Sequence, residues 1–178
     1  MQTEIIISGF GGQGALFAGQ LMSYSAMDNQ LEVTWFPSYG PEMRGGTASC
    51  TVIISDEEIG APVVGQPTAV IAMNLQSLDK YEDQVKQGGL LVVNSSMVNR
   101  MATRPDIRCV HIPANEIAER IGDRRLTNMV LLGSLLANLK VLDLKTVEDS
   151  LKEHTPERHQ KLVPLNIRAL EEGATYLV

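Results

Sequence analysis

Six residues near the N-terminus, Gly9-Phe10-Gly11-Gly12-Gln13-Gly14, have the composition and spacing of a loop that handles an anion. Glycines permit a tight strand-to-helix turn, let backbone approach a ligand closely, and leave N–H groups open at the positive end of the helix that follows. The pattern G-x-G-x-x-G in that setting suits the phosphates of a dinucleotide. A nicotinamide or flavin site also needs an acid at the end of the second strand, to hold the ribose hydroxyls. Here that strand closes on Trp35-Phe36-Pro37-Ser38 without a carboxylate, and no arginine stands there for a 2′-phosphate. The missing half argues against NAD(P) and leaves two readings of the glycines: packing of helix on strand, or an anion-binding or close-docking role.

A second candidate is the stretch 37–46, Pro37-Ser38-Tyr39-Gly40-Pro41-Glu42-Met43-Arg44-Gly45-Gly46, in which five of ten residues are Gly or Pro. Such a stretch reads as a loop. Because it follows the second strand, it leaves the same sheet edge as the glycine loop, and ligands of open α/β sheets bind at that carboxyl edge. Held by prolines, it can present Tyr39, Glu42 and Arg44 in a fixed arrangement, with Arg44 able to grip a phosphate or carboxylate through two donors. The plainer reading is a solvent-exposed Glu42–Arg44 pair of little energetic consequence. Trp35, Phe36, Tyr39 and Met43 beside them form an apolar patch of the kind that meets a partner.

Other reactive side chains lack company. Cys109 and His111 share one strand face, but two ligands do not make a metal site. Cys50 reads as a buried structural thiol, and no metal site is expected. His154 and His159, five residues apart, do not share a helical face and are expected in solvent. Asn128 opens an apolar helix, where its amide either satisfies backbone at the helix start or faces a cleft. Arg124 and Arg125 read as surface charge.

The elements that position these residues follow an α/β rhythm. Strands are expected at 4–8, 31–36, 47–55, 68–73, 90–94 and 107–112, and helices at 12–27, from Asn74 as cap to 85, and at 115–121, 127–140 and 143–153. Thr155-Pro156-Glu157 supplies a cap, a proline at the first helical position and a first-turn acid, which predicts a last helix running to about 172. The 143–172 region is expected to pack on the sheet. The fold class is therefore α/β: a three-layer, Rossmann-like single domain over 1–178, with a mainly parallel sheet, helices on both faces and a helical C-terminal third.

Composition narrows the function classes. The 178 residues carry 15 Lys and Arg against 21 Asp and Glu, a net charge of −6 without basic clusters. That excludes the concentrated footprint of nucleic-acid or membrane-surface binding. Two cysteines cannot hold an iron–sulfur cluster or structural zinc. Six of the eight aromatic residues fall within the first 39 positions. The longest apolar run, 129–139, is too short to span a membrane and is broken by Gly133 and Ser134. With no basic segment or cleavage site at the N-terminus, the chain reads as cytoplasmic.

The glycine loop with Ala18-Gly19 behind it, the stretch Ser38-Tyr39-Gly40-Pro41-Glu42-Met43-Arg44-Gly45-Gly46, and Thr127-Asn128-Met129-Val130-Leu131-Leu132-Gly133 together resemble the gamma subunit of 2-oxoacid:ferredoxin oxidoreductases over the whole chain. The resemblance implies an assembly in which alpha and beta subunits bind thiamine diphosphate and a ferredoxin-like subunit or domain carries iron–sulfur clusters. That assembly converts a 2-oxoacid and coenzyme A to an acyl-CoA and carbon dioxide while reducing ferredoxin or flavodoxin. It implies no cofactor held by this chain alone, no covalent catalytic residue, and a share in shaping the cofactor and coenzyme A cleft. The positions carried over as binding residues are Gly9, Gly11, Gly12, Gln13, Gly14, Tyr39, Glu42, Arg44 and Asn128. The full Glu42-Met43-Arg44-Gly45-Gly46 form points toward 2-oxoglutarate or a branched-chain 2-oxoacid. Two alternatives remain: a free-standing nucleotide-binding or regulatory module using the glycine loop, and a structural subunit without a ligand.

Overall fold

Apolar runs set the centre of the sheet and amphipathic ones its flanks. In chain order the elements are β1 (Gln2–Phe10), α1 (Ala15–Asp28), β2 (Glu32–Tyr39), β3 (Thr47–Ser55), β4 (Ala69–Ala72), α2 (Leu75–Tyr81), β5 (Leu90–Asn94), β6 (Arg108–Ile112), α3 (Ala114–Ile121), α4 (Thr127–Leu139), α5 (Leu144–His154) and α6 (Val163–Ala174). The computed structural model describes residues 1–40 and 46–178; Pro41, Glu42, Met43, Arg44 and Gly45 lie outside the described residues, and with them two of the candidate binding side chains, Glu42 and Arg44.

The six strands form one mixed sheet in the order β2-β3-β1-β4-β5-β6. β1, β4, β5 and β6 run parallel, while β3 is antiparallel to both β1 and β2. β4 and β5 are buried at every residue, as parallel strands covered on both faces are. One face carries α1, α3 and α4 over Ile5, Ile7, Val52, Ile71 and Val92. The other carries α2 and the segment that precedes β6, over Ile6, Val70, Leu91 and Val93. Among the described residues, no helix is long and apolar enough to cross a membrane.

Three expectations change. Pro37, Ser38 and Tyr39 do not belong to a loop: they extend β2 opposite Cys50, Ser49 and Ala48. β2 is the edge strand, so the N–H that proline lacks takes no bond out of the ladder. The last helix does not begin at Pro156. Residues Glu157–Leu162 form a 3-10 turn, and α6 starts at Val163 with Pro164 in its first turn. A continuous α-helix from 156 would need the amide hydrogen that Pro164 does not have. Finally, α5 and α6 pack on α1 and α4 rather than on the sheet. α4 is buried from Thr127 through Leu136, with the sheet on one side and α6 on the other. Contact of α4 with α6 is backbone-close: a Cβ at Gly133 would lie 2.0 Å from the Leu170 carbonyl oxygen, and one at Gly173 would lie 1.9 Å from that of Val130.

Candidate functional site

β1 ends at Phe10 and α1 begins at Ala15, so the glycine loop is the whole of the turn between them. Gly12 and Gly14 have φ of +93° and +81°, values that L side chains rarely adopt, and this is why the turn needs glycine there. Several of its donors are already used. The Gly11 N–H donates to the Gly46 carbonyl at 2.9 Å, and the Gln13 N–H to the Phe10 carbonyl at 3.1 Å. The Phe10 N–H donates to Gln13 Oε1 at 2.6 Å, and the same oxygen receives Asn74 Nδ2 at 3.1 Å. Asn74 is also the N-cap of α2, accepting from the Ser77 N–H at 2.9 Å, which is the cap the sequence predicts.

The two loops leave one sheet edge, as expected. Two reversals of direction return β2 to the orientation of β1, and Phe10 and Tyr39 pair with the neighbouring residues Thr47 and Ala48 of β3. Gly40 N–H donates to the Thr47 carbonyl at 2.8 Å, which closes the base of the second loop, while the Gly11–Gly46 bond joins that loop to the first. Phe36 and Tyr39, three apart on β2 and so on opposite faces of this edge strand, are 58% and 55% exposed. Trp35 departs from the expected patch: it packs against the α1 side of the core, with its Nε1 buried and lacking a partner among the described residues. Met43, the remaining patch member, lies outside the described residues.

Asn128 sits under the glycine loop. Its Nδ2 donates to the Gly14 carbonyl at 3.1 Å, its Oδ1 accepts from the Met129 N–H at 2.9 Å, and the residue is buried. A buried amide chain continues behind it: Asn94 donates to the Met73 carbonyl and to Asn115 Oδ1, which also accepts from the Thr127 hydroxyl. Sequence reading missed Asn74, Asn94 and Asn115 as a set. Their shared signal is an amide at or within three positions of a strand's carboxyl end: Asn94 closes β5, Asn74 is two past β4 and Asn115 three past β6.

The thiols do not fit a cluster. Cys50 and Cys109 belong to strands four places apart in the sheet and pack with opposite faces. Burial pushes the Cys50 thiol up to about 12; burial and the nearby Glu82 charge push Cys109 up to about 11. Both are poor nucleophiles and poor metal ligands at neutral pH. His111 lies 3.3 Å from Cys109 Sγ, and burial lowers its pKa.

His154 is exposed, as expected, but it is not without partners. It stacks on Tyr24 with ring centroids 4.3 Å apart and bonds Asp28 at 3.1 Å. Asp28 is held below its ordinary value of 3.8 by the Ser150 hydroxyl and by His154, against a smaller opposing effect of burial. One ligand atom each from Asp28, Glu153 and His154 falls within 4.8 Å of the others, all at the surface. This stack forms one wall of a groove of about 540 Å³ between α1 and the α5–α6 connection, lined by Phe17, Leu21, Leu126 and Leu165 and reaching Asn128. His159 and Arg125 are exposed at its rim, and Arg125 pairs with Asp123 at 2.6 Å.

The family described as pyruvate ferredoxin/flavodoxin oxidoreductase matches residues 4–176. Ketoisovalerate oxidoreductase subunit VorA of Methanothermobacter thermautotrophicus is 37% identical over 176 residues, which are 98% of this chain and 36% of that protein. The chain thus spans little more than a third of the length of that relative. The 2-oxoglutarate synthase subunit KorC of Methanothermobacter marburgensis is 36% identical over 180 residues, covering 97% of this chain and 95% of its own. The crystal structure of a keto/oxoacid ferredoxin oxidoreductase gamma subunit from Geobacter sulfurreducens PCA superposes with a TM-score of 0.83 at 31% identity, covering 97% of this chain and 96% of that one.

Proposed function

The chain belongs to the pyruvate ferredoxin/flavodoxin oxidoreductase family, and from that premise we propose that it works as the gamma component of a multisubunit 2-oxoacid:ferredoxin oxidoreductase. The assembly decarboxylates a 2-oxoacid, such as 2-oxoglutarate or a branched-chain 2-oxoacid, in the presence of coenzyme A. The products are an acyl-CoA and carbon dioxide, and the electrons pass to ferredoxin or flavodoxin. Thiamine diphosphate belongs to the alpha and beta subunits and the clusters to a ferredoxin-like subunit or domain, in the cytoplasm. Residues 1–178 act as a single gamma domain, which binds and positions while the partners' cofactors do the chemistry.

The observation that carries this reading is the joined sheet edge. The glycine loop and the second loop are tied through Gly11 and Gly46, with Phe36 and Tyr39 exposed beside them. That arrangement leaves the edge of the sheet, with an exposed aromatic on each face, open to a partner subunit and to a bound ligand. Gly9, Gly11, Gly12, Gln13, Gly14, Tyr39, Glu42, Arg44 and Asn128 make up the proposed cleft wall, with Arg44 as its anion contact. The free-standing dinucleotide module loses support here, because the N–H groups of Phe10, Gly11 and Gln13 already have acceptors inside the protein.

Reconstitution tests the proposal. The isolated chain should turn over neither 2-oxoglutarate nor 2-ketoisovalerate, whereas the assembly captured with it from its native source should, and Arg44→Ala in that assembly should lower activity or coenzyme A affinity. Turnover by the isolated chain, or capture without thiamine-binding subunits, would overturn it.

A further inference from the structure

The glycine loop is gripped on its inner side by two amides that arrive from different helices. Asn74 stands at the start of α2 and Asn128 in the first turn of α4, and they are only 1% and 4% exposed. Each divides its amide the same way. The Oδ1 accepts from its own helix, at the Ser77 N–H and the Met129 N–H, both at 2.9 Å. The Nδ2 donates to the loop, to Gln13 Oε1 and to the Gly14 carbonyl, both at 3.1 Å. Gln13 passes the hold onward, because its Oε1 also takes the Phe10 N–H.

Steric room is used up on this inner side. A Cβ at Gly14 would come within 2.5 Å of Asn128 Nδ2, and one at Gly9 within 2.7 Å of Gln13 Oε1. Gly12 is the opposite case: it is exposed, and among the described residues nothing lies within 4 Å of where its Cβ would stand. The three glycines therefore do different work. Gly9 and Gly14 make space for the protein's own amides, and Gly12 presents the open face.

We propose that Asn74 and Asn128 are positioning residues that fix the glycine loop between α2 and α4 and set its open side, at Gly12, toward the proposed cleft. The proposal rests on the reading of this loop as part of the cleft wall. In this role each asparagine acts through the loop, by Gln13 or Gly14. A buried donor with a single acceptor is worth keeping, because leaving either side unpaired costs the full desolvation of that group.

The symmetry of the two amides supplies the experiment. Asn74→Asp and Asn128→Asp keep the oxygen that accepts from the helix and replace only the nitrogen that holds the loop. In the full-length chain, amide hydrogen exchange at Phe10 to Gly14 should accelerate about tenfold in each variant, while amides of β4 and β5 exchange as before. Gln13→Met, which removes the oxygen shared by the Phe10 N–H and Asn74 Nδ2 while leaving the Asn74–Ser77 cap intact, should accelerate the same stretch as Asn74→Asp by a similar factor. In the assembled enzyme the two aspartate variants should lose about tenfold in kcat with KM for the 2-oxoacid little changed, the pattern of a misplaced rather than missing contact. Unchanged loop exchange in folded variants, Gln13→Met included, would overturn the clamp. Faster loop exchange with undiminished kcat would leave the clamp standing, and overturn both its positioning role and the placement of the loop in the cleft wall.

Discussion

Glu82 shows how much one buried side chain decides. Only about 5% exposed, it receives the Thr103 N–H and hydroxyl and Arg100 Nη1, and so fastens the segment between β5 and β6 over the second sheet face. Burial alone would raise its carboxyl; the Thr103 and Arg100 donors outweigh burial and hold it below the ordinary value of 4.5. A carboxyl depressed on folding contributes stability above its unfolded-state pKa and loses it as pH falls through the folded-state value. Glu82→Gln should therefore cost about 2 kcal/mol at pH 7, with the gap to the parent closing as the pH drops below about 4.5. Urea midpoints at pH 7 and pH 3 check this, and equal gaps at both would refute the linkage. The chain's other polar asset, the pair Asn74 and Asn128, belongs to the same class of buried group whose worth lies in the geometry it imposes.

Between helices, α4 and α6 come backbone to backbone where they cross at Gly133 and Gly173. Each faces the other helix's backbone at a distance no side chain tolerates. Alanine at either position gains about 1 kcal/mol in helix propensity but forces the helices apart, at a cost of about 3 kcal/mol. The net of about 2 kcal/mol should appear as a melting temperature lower by about 4–8 °C, and an unchanged one would mean that the pair spreads freely. The sequence placed most elements because their signals are local: continuous apolar runs for β4 and β5, and an asparagine before Leu75 for the α2 cap. It misplaced the end of β2, since Gly and Pro content cannot say that Pro37 lies on an edge where its missing N–H is harmless. It joined the 3-10 turn to α6, because Thr155-Pro156-Glu157 is a sound start signal and Pro164 is a second one that outranks it. The antiparallel course of β3 was not legible at all, since pairing direction leaves no mark on a strand buried on both faces. At the site, the glycine loop was plain from its spacing. The grip of Asn128 on Gly14 was not, because it joins positions 114 residues apart.

For the molecule as a whole, the exposed pair Phe36 and Tyr39 is where isolated stability and assembly part ways. Both are more than half exposed in the chain alone, so Phe36→Ser should leave its melting temperature within about 2 °C of the parent. If this edge docks a partner subunit, the same substitution should weaken capture of that partner about tenfold or more, as loss of a buried aromatic anchor does. Undiminished capture would move the interface elsewhere. The ends of the fold bear on the same question from the other side. Gln2 pairs with Ser55 at the amino edge of the sheet, and the Val178 N–H donates to Asn138, whose carbonyl receives Arg108 at the start of β6. Polypeptide spliced on at either place would thus emerge at the pole remote from the glycine loop. A longer protein could therefore carry this fold with the glycine-loop edge left clear, and VorA, of which the match covers 36%, is such a longer chain.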